Sequence, residues 1–306
     1  MTNSFYPFSI QSAALNVNPF GSFGVPASDK SIPPVKLSLS QLTTLRWNVS
    51  EEVTQAKQTG YDAIGIWRRK LVEFGEQRAA EYLHRHRLSV SSLSFAGGFT
   101  GGCGFSYLEA IADCRQAIEQ ARILGARNVV VVGGSQNGHT VRHSRRLVVD
   151  ALKELGDAAG VAQTRLSLLP MHRYFSKKWT FLNSLDHALE IINQIGHSHV
   201  GLAFDAYHLW QEPRLIERIP EVARLTGIVQ LSDSLQAPQS DQDRLMPGEG
   251  VIPLTELIQA FQRAGYTGYY DVQVWSGQVW RSNYSHQIEQ CHAAVKSMAI
   301  ATTIST

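Results

Sequence analysis

The chain has little cysteine, no long apolar run and no block of like charge, and each shortage excludes something. Its 306 residues include three cysteines, Cys103, Cys114 and Cys291, widely spaced and without a CxxC pair. Neither a disulfide framework nor a zinc ribbon is supported, and reduced thiols in a cytoplasmic protein are the expectation. No stretch approaches the roughly 18 apolar residues of a membrane span. The 28 Lys and Arg and 26 Asp and Glu leave a formal charge of +2 with no Lys/Arg-rich run. The footprint of a nucleic-acid or membrane-surface binder is therefore missing. Also absent are a P-loop, an HExxH pair and a nucleophile elbow, so phosphoryl transfer, zinc proteolysis and serine hydrolysis drop out. An early strand-GxGxxG-helix fingerprint is lacking as well, which argues against an open dinucleotide-binding sheet.

What is present is a rhythm. Residues 1–35 are rich in Ser, Asn, Pro and Gly and lack a basic segment followed by an apolar one. They read as an irregular extension, not a signal peptide. Residues 36–306 then alternate short Val/Ile/Leu-rich runs with helical patterns. The strands are "VKLSLS", "AIGIW", "LSVSSLSF", "NVVVV", "RLSLLP", "VGLAFD", "GIVQLSD" and "GYYDVQVW". Helices follow each, the first with Ser50 as its N-cap and Gly60 after its end, the second continuous over "LVEFGEQRAAEYLHRH". Alternating strands and helices predict a parallel sheet, and eight units in about 270 residues predict a closed (β/α)8 barrel. Reactive groups of such a barrel stand at the C-terminal ends of the strands.

Alternate residues of a strand share a face. Strand six ends in Asp205, on the face of Ala203 and Gly201. Strand seven offers Gln230 beside Ile228 and Ser232. Strand eight offers Gln273, with Asp271 one pleat deeper, and strand five offers Leu169 above Ser167. His172, His208, Arg244 and Glu249 follow the tips. Singly, each has a plain explanation as a cap, a packed histidine or a surface pair. Their origin on adjacent strands five to eight makes one pocket the expectation. Around the rest of the mouth, Trp67 and Arg68 follow strand two. The tryptophan is placed to stack on a ring or to pack under a loop, and the arginine to meet an anion. His139 follows strand four, near the start of a helix. The run "GGFTGGCGF" after strand three could present backbone amides to an anion or simply form a tight turn.

The segments "GLAFDAYHLW", "GIVQLSDS", "DRLMPGEGVIPL" and "GYTGYYDVQVWS", with "LLPMHR", resemble the sugar phosphate isomerase/epimerase group, the xylose-isomerase-like TIM barrels. The resemblance spans residues 36 to 295 and is most specific from PGEG to GYTG. It implies the (β/α)8 fold, a small polyhydroxy substrate and a divalent metal, Mg or Mn. In that group the metal is held by Glu on strand five, Asp on six, His or sometimes Gln on seven and Glu on eight. Asp205 and Gln230 match, and His208 matches a substrate-contacting histidine. Leu169 and Gln273 stand where the two glutamates belong. Hard cations are held by carboxylates and carbonyl oxygens, so Asp205, Gln230 and Gln273 make at best a weak metal site. The missing glutamates are also the proton-transferring pair of epimerase relatives, so His172, His208, Asp205, Glu249 or Asp233 would have to supply acid-base function. Trp67, Arg68, His139, His208 and Arg244 are the substrate-binding candidates. The alternative is a non-catalytic ligand-binding or scaffold barrel that has lost the metal and the acid/base glutamates. An apurinic-site endonuclease on the related barrel would need a multi-zinc cluster whose acids this chain lacks.

Overall fold

The computed structural model describes residues 32–102 and 104–300. The extension expected over residues 1–35 lies outside the described residues as far as Ser31; residues 32–35 carry no helix or strand and lead into the first strand. Eight parallel strands close into a barrel in sequence order. They are β1 (Lys36–Ser40), β2 (Ala63–Trp67), β3 (Ser89–Gly97), β4 (Asn128–Val132), β5 (Arg165–Leu168), β6 (Val200–Asp205), β7 (Thr226–Leu231) and β8 (Tyr269–Val272). Helices connect them, as a parallel sheet requires, and the architecture is the (β/α)8 barrel.

Burial explains the apolar runs. A strand of a closed barrel faces packed side chains on one side and helices on the other, so β4, Asn128–Val132, is buried at every residue. The connecting helices are fixed by their ends. Helix Val49–Thr59 begins at Asn48, not Ser50, because Asn48 accepts the Glu51 amide and Glu51 answers in a capping box. The continuous second helix is likewise corrected: helices Arg68–Phe74 and Glu76–His86 meet at Gly75, whose φ of 86° breaks the hydrogen-bond ladder.

Inside the barrel, strand register sets the polar residues in order. Asp205 pairs laterally with Gln230, and Gln230 with Asp271. Nearer the opposite pole, Ser38 and Ser91 hydroxyls lie 2.6 Å apart, and the Ser167 hydroxyl donates to Asn128 at 3.0 Å. The glycine-rich loop after β3 serves close approach: a Cβ on Gly97 would lie 2.2 Å from the Val132 carbonyl oxygen, and its φ is +105°. Among the described residues no helix is long and apolar enough to cross a membrane.

Candidate functional site

β6 delivers Asp205 to the C-terminal mouth of the barrel. Its Oδ1 accepts the Tyr207 amide at 2.9 Å and so starts the short helix Ala206–Leu209. That turn returns His208 to the same place: His208 Nε2 lies 3.7 Å from Asp205 Oδ2.

Arg244 arrives from a different part of the chain. The loop after β7 folds back, and the amides and carbonyls of Asp233 and Leu245 bond each other at 2.9 Å in both directions. The Asp233 carboxylate takes the amides of Ser234, Gly248 and Ile252, winding the PGEG turn around itself. A Cβ on Gly250 would fall 2.3 Å from Asp233 Oδ1, so only glycine fits there. So held, the Arg244 guanidinium lies over the Tyr207 ring, 4.2 Å from its centroid. Tyr207 donates its hydroxyl to Asp243, the residue before Arg244.

The guanidinium is the hub of the mouth. Nη2 donates to Asp205 Oδ2 at 2.9 Å and to His208 Nε2 at 3.0 Å. Nη1 donates to the Ser232 hydroxyl at 3.1 Å and the Gln273 carbonyl at 3.3 Å. Arginine has no acceptor, so His208 Nε2 is the acceptor and the imidazole proton sits on Nδ1. That Nδ1 is buried and has no partner among the described residues. Burial, then the Arg244 charge, then His172 hold His208 well below the usual histidine range, which makes it a neutral imidazole. Burial lifts the Asp205 carboxyl above the ordinary aspartate range, while Arg244 pulls it back down.

Beside this hub, Gln230 Nε2 donates to Gln273 Oε1 at 2.7 Å. Leu169 is fully buried next to them in the wall of the mouth cavity. His208, Arg244, Gln273 and Asp241 form its polar edge, and Phe95, Phe175, Trp179 and Trp275 are its aromatic faces.

The donor set does not fit a divalent cation. Leu169 has no donor atom. Gln273 Oε1 already accepts from Gln230, Asp205 Oδ2 from Arg244, and His208 Nε2 from the same guanidinium. The Asp205 carboxylate is neutralised by Arg244, and Asp241 on the same cavity is paired with Lys178, so an incoming ion meets no unpaired carboxylate. Among the described residues no three His, Cys, Asp or Glu side chains converge as metal ligands would.

The other sequence candidates are placed elsewhere or at the rim. His172 is half-buried at the start of the turn Arg173–Phe175, its Nδ1 accepting the Tyr174 amide at 3.3 Å. Burial and Arg173 hold its pKa below the usual value. Glu249 is exposed, outside the lining of the mouth cavity, and its carboxylate takes the Met246 amide, shaping the PGEG turn. Arg68 faces away: its guanidinium holds the Asp113 carboxylate at 2.7 and 2.8 Å, with Gln120 and the Phe95 carbonyl. Trp67 stands edge-on behind Trp275, ring centroids 6.4 Å apart, and lines a separate groove with Lys70 and Phe74. His139 pairs its ring with His143 at 4.8 Å beside the glycine-rich loop.

Several features escaped the sequence reading, among them the lining residues Phe175, Trp179 and Asp241. Trp275 lines the mouth, although the alternate-residue parity that picks out Asp271 and Gln273 also reaches it. Glu52 is fully buried, with Gln41, Thr44 and Lys70 on its carboxylate, and burial raises its pKa to about 7. Gln41 in turn accepts the Trp67 amide at 2.9 Å, so this cluster braces the β1 and β2 tips. A second Glu in the first turn of a helix, after the capping Glu51, carries no mark of this burial.

Comparison with known proteins agrees with the fold. A curated inosose isomerase of Bacillus velezensis is 24% identical over 258 residues, 81% of this chain and 91% of that protein. A Sinorhizobium meliloti protein of known crystal structure superposes with a TM-score of 0.81 at 26% identity, covering 87% of this chain and 99% of that one. The IOLI protein, solved with a bound zinc atom, superposes with a TM-score of 0.75 at 22% identity over 86% of this chain and 98% of its own. The family model described as xylose isomerase-like TIM barrel matches residues 53–296. The chain belongs to the xylose isomerase-like TIM barrel family.

Proposed function

We propose that this chain acts as a sugar isomerase or epimerase on a small, unphosphorylated polyhydroxy ring bound at the barrel mouth. The observation that carries the reading is that His208 and Arg244 line the mouth cavity together, with the buried Asp205 holding the guanidinium from behind. The similarity to an inosose isomerase over most of both chains supports the same class of substrate. Aromatic faces suit the C–H faces of a ring, and the polar edge suits its oxygens. Phosphate is disfavoured because the mouth cations are already paired, Arg244 with Asp205 and Lys178 with Asp241. Cytoplasmic residence belongs to the same proposal, supported by the free, buried thiols of Cys114 and Cys291.

Isomerisation next to a carbonyl needs a proton carrier and a positive group where the oxyanion develops. Arg244 is that positive group. His208 is neutral and offers its Nδ1–H to a ligand oxygen. His172, close enough to affect His208 and neutral near pH 7, is the group at the rim free to move a proton. Asp205 orients the guanidinium and takes no further part.

Proton NMR in D2O tests the proposal with an inosose and with ketohexoses. Deuterium should enter the carbon beside the carbonyl in the presence of the protein, and Arg244→Met should abolish it. Binding without exchange would establish the non-catalytic ligand-binding barrel instead. Neither binding nor exchange across these ligands would reject the substrate class.

A further inference from the structure

We infer that Arg244 stands in the place of a divalent cation: its guanidinium is the fixed positive charge of the mouth, and the site works without a metal. The inference rests on reading the mouth as the ligand site, but it concerns the charge there and not the identity of the sugar.

Three observations carry it. The first is what the guanidinium touches. Asp205 Oδ2 and His208 Nε2, a hard oxygen and an imidazole nitrogen 3.7 Å apart, are the kind of pair that chelates a metal. Both are directed at one nitrogen, Nη2, at 2.9 and 3.0 Å. A cation is therefore already bound between them, covalently part of the chain.

The second is the change in neighbouring residues. With an arginine as the cation, further carboxylates would over-compensate its single charge. Besides Asp205, the groups that touch it are neutral, His208, Ser232 and the Gln273 carbonyl, with the Gln230–Gln273 amide pair and Leu169 beside them; Asp241 on the same cavity is paired with Lys178. One positive and one negative charge balance.

The third is rigidity. Four of the five guanidinium N–H groups are engaged by Asp205, His208, Ser232 and Gln273. The guanidinium lies over the Tyr207 ring, and the Arg244 backbone is clamped through Leu245 to Asp233, two residues past β7. A mobile arginine that merely greets a substrate needs none of this. A charge that must replace an ion needs to be fixed before the ligand arrives.

Removing the guanidinium should turn the site into one that accepts a real ion. Wild type, Arg244→Ala, Arg244→Gln and Arg244→Ala with His208→Ala are titrated with Zn2+ by calorimetry and melted with and without it. Wild type should show no heat of site binding and no shift in Tm. Arg244→Ala should melt lower, bind one Zn2+ per chain at micromolar Kd, and regain roughly 5 °C of Tm at saturating metal. The added His208→Ala should cut that affinity at least tenfold. If Arg244→Ala folds only when Zn2+ is present, the inference is supported. Arg244→Gln is the milder change and reads the same gain should the alanine variant not fold at all. Stoichiometric metal in the wild type, or folded Arg244 variants that bind no Zn2+, would overturn the inference. Neither readout involves a sugar, so loss of the substrate proposal would leave this result standing, and the reverse.

Discussion

Asp205 and Asp271 are enclosed by the same barrel, on strands separated only by β7, and each is fully buried. Their electrical surroundings differ. Asp205 has Arg244 at 2.9 Å and two amide donors behind it. Among the described residues, Asp271 has the hydroxyls of Ser38 and Ser91 and no cation, and its Oδ2 has no partner. Burial lifts the Asp271 carboxyl to about 6, helped by the Asp205 charge. The lesson is that depth in the barrel does not decide what an aspartate does. Asp205 keeps its charge at the mouth because a second charge was folded in from residue 244. Asp271, with no such partner, is a group the fold holds best in its protonated form.

The comparison breaks most visibly when Arg244 is lost. Arg244→Met leaves Asp205 buried without a partner and should cost about 3–5 kcal/mol. Urea unfolding measures it. Adding Asp205→Asn should recover most of that loss, because the orphaned charge is gone. A double variant no more stable than the single would show that the two side chains do not act on each other.

For Asp271 the expected effect is smaller and depends on pH. Its folded pKa is raised, so the folded state holds the proton more tightly than the unfolded chain, whose value is near 3.8. Stability from this group is full below about pH 4 and falls as pH rises to about 6. A shift of that size is worth on the order of 3 kcal/mol. Asp271→Asn should therefore flatten the stability profile between these limits, read as the difference between the two proteins at each pH. An unchanged slope would place the titration on another group.

His208→Ala sharpens the contrast between binding and folding. It removes one of four acceptors of the guanidinium and should cost about 1–2 kcal/mol, while ligand affinity at the mouth falls at least tenfold. The smallest effect belongs to Glu249→Gln. That exposed carboxylate only shapes a turn, so stability should move by less than about 0.5 kcal/mol and turnover should be unchanged. A large loss of turnover would return Glu249 to the catalytic group.

Much of this arrangement is legible in the chain. The eight strands are short apolar runs between capped helices, and both the period and the turn chemistry point to the barrel. Asp205 and His208 are visible because strand parity and a short spacing carry them to one place. Arg244 is visible as a residue after a strand tip, but its attachment to Asp205 is not: the two are 39 residues apart and meet only because Asp233 winds the intervening loop. Arg68 misleads for the same reason, since its partner Asp113 lies 45 residues on, in a helix. The Glu52 cluster is hidden because nothing local marks a helical glutamate as buried. Long-range charge pairing is thus what the one-dimensional reading misses, and it is what decides the chemistry of the mouth.

The most direct test concerns metal in the wild-type protein. Metal content is measured by plasma emission on the purified chain, and Tm is compared before and after dialysis against a chelator. With Arg244 as the resident cation, metal should be well below one equivalent and Tm should not move. About one equivalent of Zn, Mn or Mg per chain, with a Tm several degrees lower after chelation, would contradict it.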